Sequence, residues 1–228
     1  LSRGDHWTLF CPRRAPGLAD VYGDAFNALY LSYEAEWESR GGKRILASDL
    51  MTTICKSQIE VGMPYLLFKD HANRKSNQNN LGTIRSSNLC CEIIQYSSPT
   101  EIAVCNLAAI NLKTHVKNGK MDYAMLEATA GLLVRNLNQC IDTTYYPVPE
   151  AERSNLRHRP IGIGVAGLAD AFFLLRLPFD SPEAVAVNAL IFEHIYHGAL
   201  VASMKLAKES KPYDSYEGFL TSRLALTL

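Results

Sequence analysis

Between residues 121 and 141, Leu126, Ala130, Leu133, Leu137 and Ile141 recur at intervals of three or four, a stripe that only an α-helix gathers onto one face. A helix with one long apolar stripe must lie against a second layer, so the rest of the chain has to supply one. The same periodicity marks residues 20–39, with Val21, Phe26, Leu29, Tyr30 and Tyr33, ended by Gly41 and Gly42. It returns at 48–61 behind a serine cap, stopped by Gly62 and Pro64, then at 168–175, and at 181–210 behind Ser181 and Pro182. Short apolar runs of strand length lie between: 64–68, 92–96, 102–107 and 160–165. The Asn- and Lys-rich stretch 69–80 reads as a loop, and Tyr145, Tyr146, Pro147 and Pro149 break the chain after the long helix. Strands alternating with helices, without an internal repeat, predict a helix-rich α/β fold, most simply one domain.

Composition narrows the partners. With 228 residues, 47% of them hydrophobic, the chain can bury a core, and 23 basic against 23 acidic residues leave no net charge to draw it to nucleic acid or an anionic membrane. The longest apolar stretches, 102–112 and 161–175, are interrupted by Asn106, Asn111 and Asp170, short of the roughly 20 clean residues of a membrane span. No basic segment followed by an apolar one opens the chain, which starts at Leu1, and six cysteines are too sparse for a disulfide scaffold. A reducing, cytoplasmic setting is therefore expected. No cysteine pair has the spacing of a zinc knuckle, Cys90 and Cys91 being adjacent.

Three patterns imitate known sites. Gly162, Gly164 and Gly167 have dinucleotide-loop spacing, but they follow a polar stretch and lack a second strand, so tight strand–helix packing is the better reading. Glu193, His194 and His197 stand in the wrong order for a zinc hydrolase helix and read as solvated or packed. Tyr145 and Tyr146 suggest an electron relay, yet an aromatic pair before Pro147 more simply packs a helix exit.

The chemistry concentrates in residues 86–92, Ser-Ser-Asn-Leu-Cys-Cys-Glu, with Cys105 fifteen positions beyond Cys90. If this stretch is extended, alternate side chains share a face, placing the Asn88 amide, the Cys90 thiol and the Glu92 carboxylate side by side. A thiol can act as nucleophile or, through homolysis of its S–H bond, as a one-electron centre. Glutamate can serve as general base and the amide can orient a hydroxyl. Spacing alone leaves open that Cys90 and Cys105 are merely small buried hydrophobes.

Residues 73–83 (NRKSNQNNLGT), 87–92 (SNLCCE), 103–107 (AVCNL), 145–151 (YYPVPEA) and 157–171 (RHRPIGIGVAGLADA) occur in an order that resembles the catalytic barrel of class I ribonucleotide reductase large subunits, eukaryotic or viral in character. The resemblance runs from about Trp7 to Gly218. It implies a ten-stranded α/β barrel of two parallel halves with a finger loop through its centre and Cys90 at the tip. The Cys90 thiyl radical would abstract the 3′ hydrogen of a ribonucleoside diphosphate. Glu92 would take the 3′ hydroxyl proton, Asn88 and Leu89 with Glu92 would contact substrate, and Cys105 would be one half of the redox-active disulfide. Cys91, where the family usually has another residue, is expected to face away as a bystander.

The resemblance also implies partners: a metal-containing small subunit supplying the radical, a second large subunit, and thioredoxin or glutaredoxin as reductant. ATP and deoxynucleotide effectors would bind outside these residues, which correspond to an interior portion of the barrel domain. The amino-terminal ATP domain, the second redox cysteine, the radical-relaying tyrosine pair and the carboxy-terminal tail would lie beyond them. An incomplete sheet exposes unpaired edges, so the isolated chain is expected to be inactive. The rival expectation is a catalytically silent homologue serving as an interaction or dimerisation module. A cysteine hydrolase is weaker, because no histidine falls in a motif with Cys90.

Overall fold

The computed structural model describes residues 5–218. The single domain expected from the sequence packs as two units, one comprising the described residues up to Ser97 with Gly218, the other Ser98–Glu217.

In the first unit, strand β1 (His6–Leu9) pairs antiparallel with β2 (Lys43–Leu46), and helix α1 (Gly23–Glu34) lies against them through aromatic rings. Tyr30 stacks on Trp7 at 5.0 Å and on Phe26 at 5.8 Å, and its hydroxyl accepts the Thr8 N–H at 2.8 Å. Helix α1 is shorter than the expected 20–39, because the backbone goes over to turns after Glu34 and ends at Gly41 with φ +61°. Helix α2 (Ala47–Val61) is capped by the backbone of Leu46 without a side-chain bond, so Ser48 lies inside the helix rather than capping it. Its C-terminus closes on Gly62 as expected, in the left-handed region at φ +73°.

Two expectations fail here. Residues 64–68 form no strand: they are exposed and pair with no strand among the described residues, and an apolar run without a partner has no ladder to join. The expected loop 69–80 instead begins with helix α3 (Lys69–Lys75), whose Asp70 in the first turn and Arg74 and Lys75 in the last complement its dipole. Lys69 Nζ donates to Ala19 O at 2.7 Å and Val21 O at 2.9 Å. Burial pulls its pKa down, partly offset by Asp20.

The second unit is built on β3 (Leu107–Asn111) and β6 (Gly162–Ala166), paired in parallel from Leu107–Gly162 to Asn111–Ala166. A 3₁₀ turn (Leu112–His115) and the small antiparallel pair β4 (Val116–Lys117) and β5 (Lys120–Met121) lead into α4 (Tyr123–Thr143). Helices α5 (Pro149–His158), α6 (Leu168–Leu174) and α7 (Pro182–Glu209) complete it. The core joins Ile110 and Leu112 to Leu126 and Ala130 of α4, Ala171 of α6, and Ile191 and Ile195 of α7. Fully burying the leucines and isoleucines among these is worth roughly 1.5–3 kcal/mol each.

The long amphipathic helix and the Ser181 cap agree with the sequence, Ser181 Oγ accepting the Ala184 N–H at 3.1 Å. Strands expected at 92–96 and 102–107 are absent as such: the first is irregular, and pairing starts only at Leu107, after a Ser98–Glu101 bridge. Helix α5 was not expected, because its sequence is polar. Pro149 at its start and Glu150 and Glu152 in its first turn favour it. By length and composition α7 could cross a membrane, but it lies along α4, burying Ile191, Ile195 and Ala202 and pairing Glu209 with Arg135 at 2.8 Å. The architecture is a helix-rich α/β one, and among the described residues no sheet closes into a barrel.

Candidate functional site

The segment carrying Asn88, Cys90 and Glu92 is a tight turn rather than an extended strand. Cys91 N–H donates to Asn88 O at 3.2 Å, Asn88 N–H to Ile93 O at 3.3 Å, and Ile93 N–H to the Asn88 side-chain Oδ1 at 3.0 Å. Cys91 takes up φ +63°, a left-handed conformation that an extended chain does not contain. The alternate-face reasoning for residues 88, 90 and 92 therefore does not apply: Cys90 and Glu92 stand on a chain reversal that Asn88 and Ile93 close. Asn88 closes this reversal with its own carbonyl oxygen, a duty the sequence did not reveal.

Cys91 is not idle in the fold. Its Sγ accepts from Ser87 Oγ at 3.3 Å, and Ser87 Oγ also lies 3.0 Å from Asn88 O. All six cysteines are free thiols. Cys90 and Glu92 are exposed, Asn88 is half-buried, and Leu89 at the apex is 83% exposed. A barrel around the finger-loop tip, which the resemblance implies, would enclose Cys90; the described residues leave it exposed.

Cys105 belongs to the second unit, two residues before β3, and is also exposed. Its neighbour Asn106 holds this backbone firmly. Asn106 Nδ2 donates to Asn155 Oδ1 at 2.6 Å and to Pro160 O at 2.7 Å, while Asn106 O accepts the Gly162 N–H at 2.9 Å. Asn155, fully buried, donates in turn to Tyr146 Oη at 2.6 Å, and Tyr146 Oη donates to Ile141 O at 2.7 Å. Tyr146 thus packs the helix exit as expected, whereas Tyr145 stands 86% exposed.

The three imitating patterns resolve structurally. Gly162 and Gly164 lie in β6, and Gly167 caps α6 at φ +72°, where an added Cβ would meet Asn111 Oδ1 at 3.1 Å. His194 and His197 both turn Nδ1 towards one oxygen of Glu127, at 2.5 and 3.3 Å, and Tyr123 stacks on His194 at 4.5 Å. The hydrogen bond from His194 holds the Glu127 carboxyl below its usual range despite some desolvation. Glu193 takes no part in this clasp.

A polar knot, buried except for Arg157, carries no sequence signal because Glu101, the Arg157–His158 pair and Ser215 are far apart in the chain. Glu101 accepts from Arg157 Nη1 at 2.7 Å and lies 3.3 Å from His158 Nε2, while His158 Nδ1 is 2.8 Å from Ser215 Oγ. Burial pushes the His158 pKa down and works against ionisation of Glu101, but Arg157 and His158 outweigh it and lower Glu101 overall. The order serine, histidine, carboxylate imitates a hydrolase, yet Ser215 is 4% exposed and the knot serves to tie residues 98–101, α5 and the segment after α7 together.

A family model described as ribonucleotide reductase, barrel domain, matches residues 1–227. The chain is 56% identical over 218 residues to the ribonucleoside-diphosphate reductase large chain of Schizosaccharomyces pombe, covering 96% of this chain and 27% of that protein. It is 56% identical to the large chain of Neurospora crassa, covering 96% of this chain and 24% of that one. To the large subunit of vaccinia virus it is 55% identical, covering 95% and 28%. The chain thus spans about a quarter of the length of the curated relatives it matches.

Proposed function

The chain belongs to the ribonucleotide reductase family, matching its barrel domain, and from that premise we propose that it carries the reactive loop of a ribonucleoside-diphosphate reductase large subunit. Cys90, as a thiyl radical, takes the 3′ hydrogen from the ribose of a ribonucleoside diphosphate. Glu92 accepts the 3′ hydroxyl proton, and Asn88, with Leu89 beside it, holds the substrate hydroxyls. Water leaves from the 2′ carbon. Cys105 and a partner cysteine then supply two electrons and two protons and end as a disulfide, and Cys90 returns the hydrogen to the 3′ carbon. The observation that supports this most directly is the Asn88–Cys91 turn, which gathers an amide, a thiol and a carboxylate within five residues at an exposed tip.

In this reading β3 and β6 are two strands of a ten-stranded barrel, and the remaining strands, which enclose the tip and exclude water, lie elsewhere in the large subunit. These residues form its interior portion. The ATP domain, the effector sites and the cysteine tail reduced by thioredoxin or glutaredoxin lie outside it. The radical arrives from a metal-containing small subunit, and the enzyme works as a large-subunit dimer in the reducing cytoplasm, where the six free thiols persist. A silent interaction module would have no need of Asn88, Cys90, Glu92 and Cys105 together.

The test is made in the full-length large subunit with its small subunit and a dithiol reductant. Cys90→Ala should abolish deoxynucleotide formation. Glu92→Gln should lower kcat by about 10²- to 10⁴-fold, the usual worth of a general base. Normal turnover by the Cys90→Ala enzyme would end the reading. Normal turnover by Glu92→Gln would remove only the base.

A further inference from the structure

Ile84 and Tyr96 bound the stretch that carries Asn88, Cys90 and Glu92, and each is fastened by a buried amide from the segment before it. Asn73, 2% exposed, pairs with Ile84 much as a neighbouring strand would. Its Oδ1 accepts the Ile84 N–H at 2.7 Å, and its Nδ2 donates to Ile84 O at 2.9 Å and to Lys69 O at 3.0 Å. Gln78, 8% exposed, accepts the Tyr96 N–H on Oε1 at 2.8 Å, and its own backbone N–H donates to Ser76 Oγ at 2.9 Å. The Tyr96 ring lies on Gly82, where φ is +146° and an added Cβ would fall 2.7 Å from the ring. Hydrogen bonds within the stretch gather at its tip, between Ser87 and Ile93. The placement of the tip is therefore set at its two shoulders.

We propose that Asn73 and Gln78 are positioning residues for the reactive thiol, two buried side-chain amides that fix where the Asn88–Cys91 turn stands relative to α3. The inference deepens the reading of Cys90 as the radical thiol and rests on it. Hydrogen abstraction needs the donor carbon and the sulfur in near contact, and misplacing reacting groups by an ångström can cost about 10²-fold. An amide suits the task at position 73 because it offers an acceptor to the N–H and a donor to the carbonyl of one residue, Ile84. A carboxylate would set an acceptor against Ile84 O.

The test uses the full-length large subunit with its small subunit. Asn73→Ala and Asn73→Asp should each lower kcat by about 10- to 10²-fold while KM stays within about twofold. Gln78→Leu should do the same, whereas Gln78→Glu, which keeps the acceptor for the Tyr96 N–H, should retain most of kcat. Ile191→Val, a core truncation in the second unit, is the control for general loss of stability and should leave kcat unchanged at a similar fall in Tm.

Full kcat in the position-73 variants and in Gln78→Leu would overturn the proposal. So would a kcat loss in Gln78→Glu as deep as in Gln78→Leu, or one that merely tracks Tm as in the control. Should the position-73 variants fail to fold, the Leu and Glu pair at 78 decides by itself. Activity in Cys90→Ala would instead strike the underlying reading, so the two failures are distinguishable.

Discussion

Two glycines on the seam between α4 and α7 should respond in opposite directions to the same substitution. Both sit inside helices, where alanine is favoured over glycine by about 1 kcal/mol. At Gly131 the added Cβ would meet Ala202 Cβ and Gly198 O, each at 3.6 Å, an ordinary contact. Gly131→Ala therefore keeps its gain and should stabilise by about 0.5–1 kcal/mol. At Gly198 the Cβ would stand 2.5 Å from Glu127 O, 2.8 Å from Glu127 Cα and 3.0 Å from Glu127 C. All three are backbone atoms of α4 and cannot rotate away, so the helices must part. Overpacking costs about 1–3 kcal/mol, and unyielding backbone contacts put this site in the upper half of that range, so after the propensity gain of about 1 kcal/mol the net loss is about 1–2 kcal/mol. In a chain of this length 1 kcal/mol moves Tm by about 2–4 °C. Thermal unfolding followed by circular dichroism should show Gly131→Ala a few degrees above the parent and Gly198→Ala a few degrees below. Equal or raised Tm for Gly198→Ala would mean that the Glu127 backbone does not approach as closely as described, and the account of the seam would fail.

Glu101→Gln should destabilise by about 1.5–3 kcal/mol at neutral pH, the worth of a buried hydrogen bond to a charged group. The folded pKa of Glu101 is depressed, so its contribution is present above the ordinary carboxylate value and is lost as pH falls through the folded one. The Tm gap between parent and variant should therefore close below about pH 4, and a gap constant from neutral to strongly acidic pH would contradict this. His158, depressed by burial, adds a loss of parent stability that begins as pH falls below its ordinary range. Ser181→Ala should lower Tm by about 2–4 °C through loss of the Ala184 cap, at about 1 kcal/mol, while Ser181→Asp should not; calorimetry on the pair checks it.

The helices carried most of what the sequence could tell. Apolar stripes at 126–141 and the Ser181 and Gly62 boundaries are local signals, and the structure keeps them. Helices α3 and α5 were hidden because their faces are polar, although charges placed to suit the dipole and Pro149 were visible cues. The runs at 64–68, 92–96 and 102–107 have strand composition, but a strand exists only through its partner, which no local pattern specifies. At the candidate site the sequence singles out residues but not the backbone geometry that carries them. A left-handed cysteine at 91 is an uncommon conformation that composition does not announce. The amides of Asn73 and Gln78 lie in the segment 73–83, where family resemblance is plain in the sequence and the hydrogen bonds they make are not. Glu101, His158 and Ser215 meet across more than fifty residues and carry no motif.

The contacts that shape the thiol-bearing turn are short in chain terms: Asn88 to Ile93 spans 5 residues, Asn73 to Ile84 spans 11, and Gln78 to Tyr96 spans 18. Those that place Cys105 are long, with Asn106 reaching Pro160 across 54. Closing the longer loop costs about 1.4 kcal/mol more entropy than closing the Asn73 clamp. The turn that carries Cys90 can thus form early in folding, on contacts its own neighbourhood supplies, while the backbone that carries Cys105 must wait for distant segments to meet. Pulse-labelled hydrogen exchange should find the amides of Ile84 and Tyr96 protected ahead of Gly162, and the reverse order would refute it.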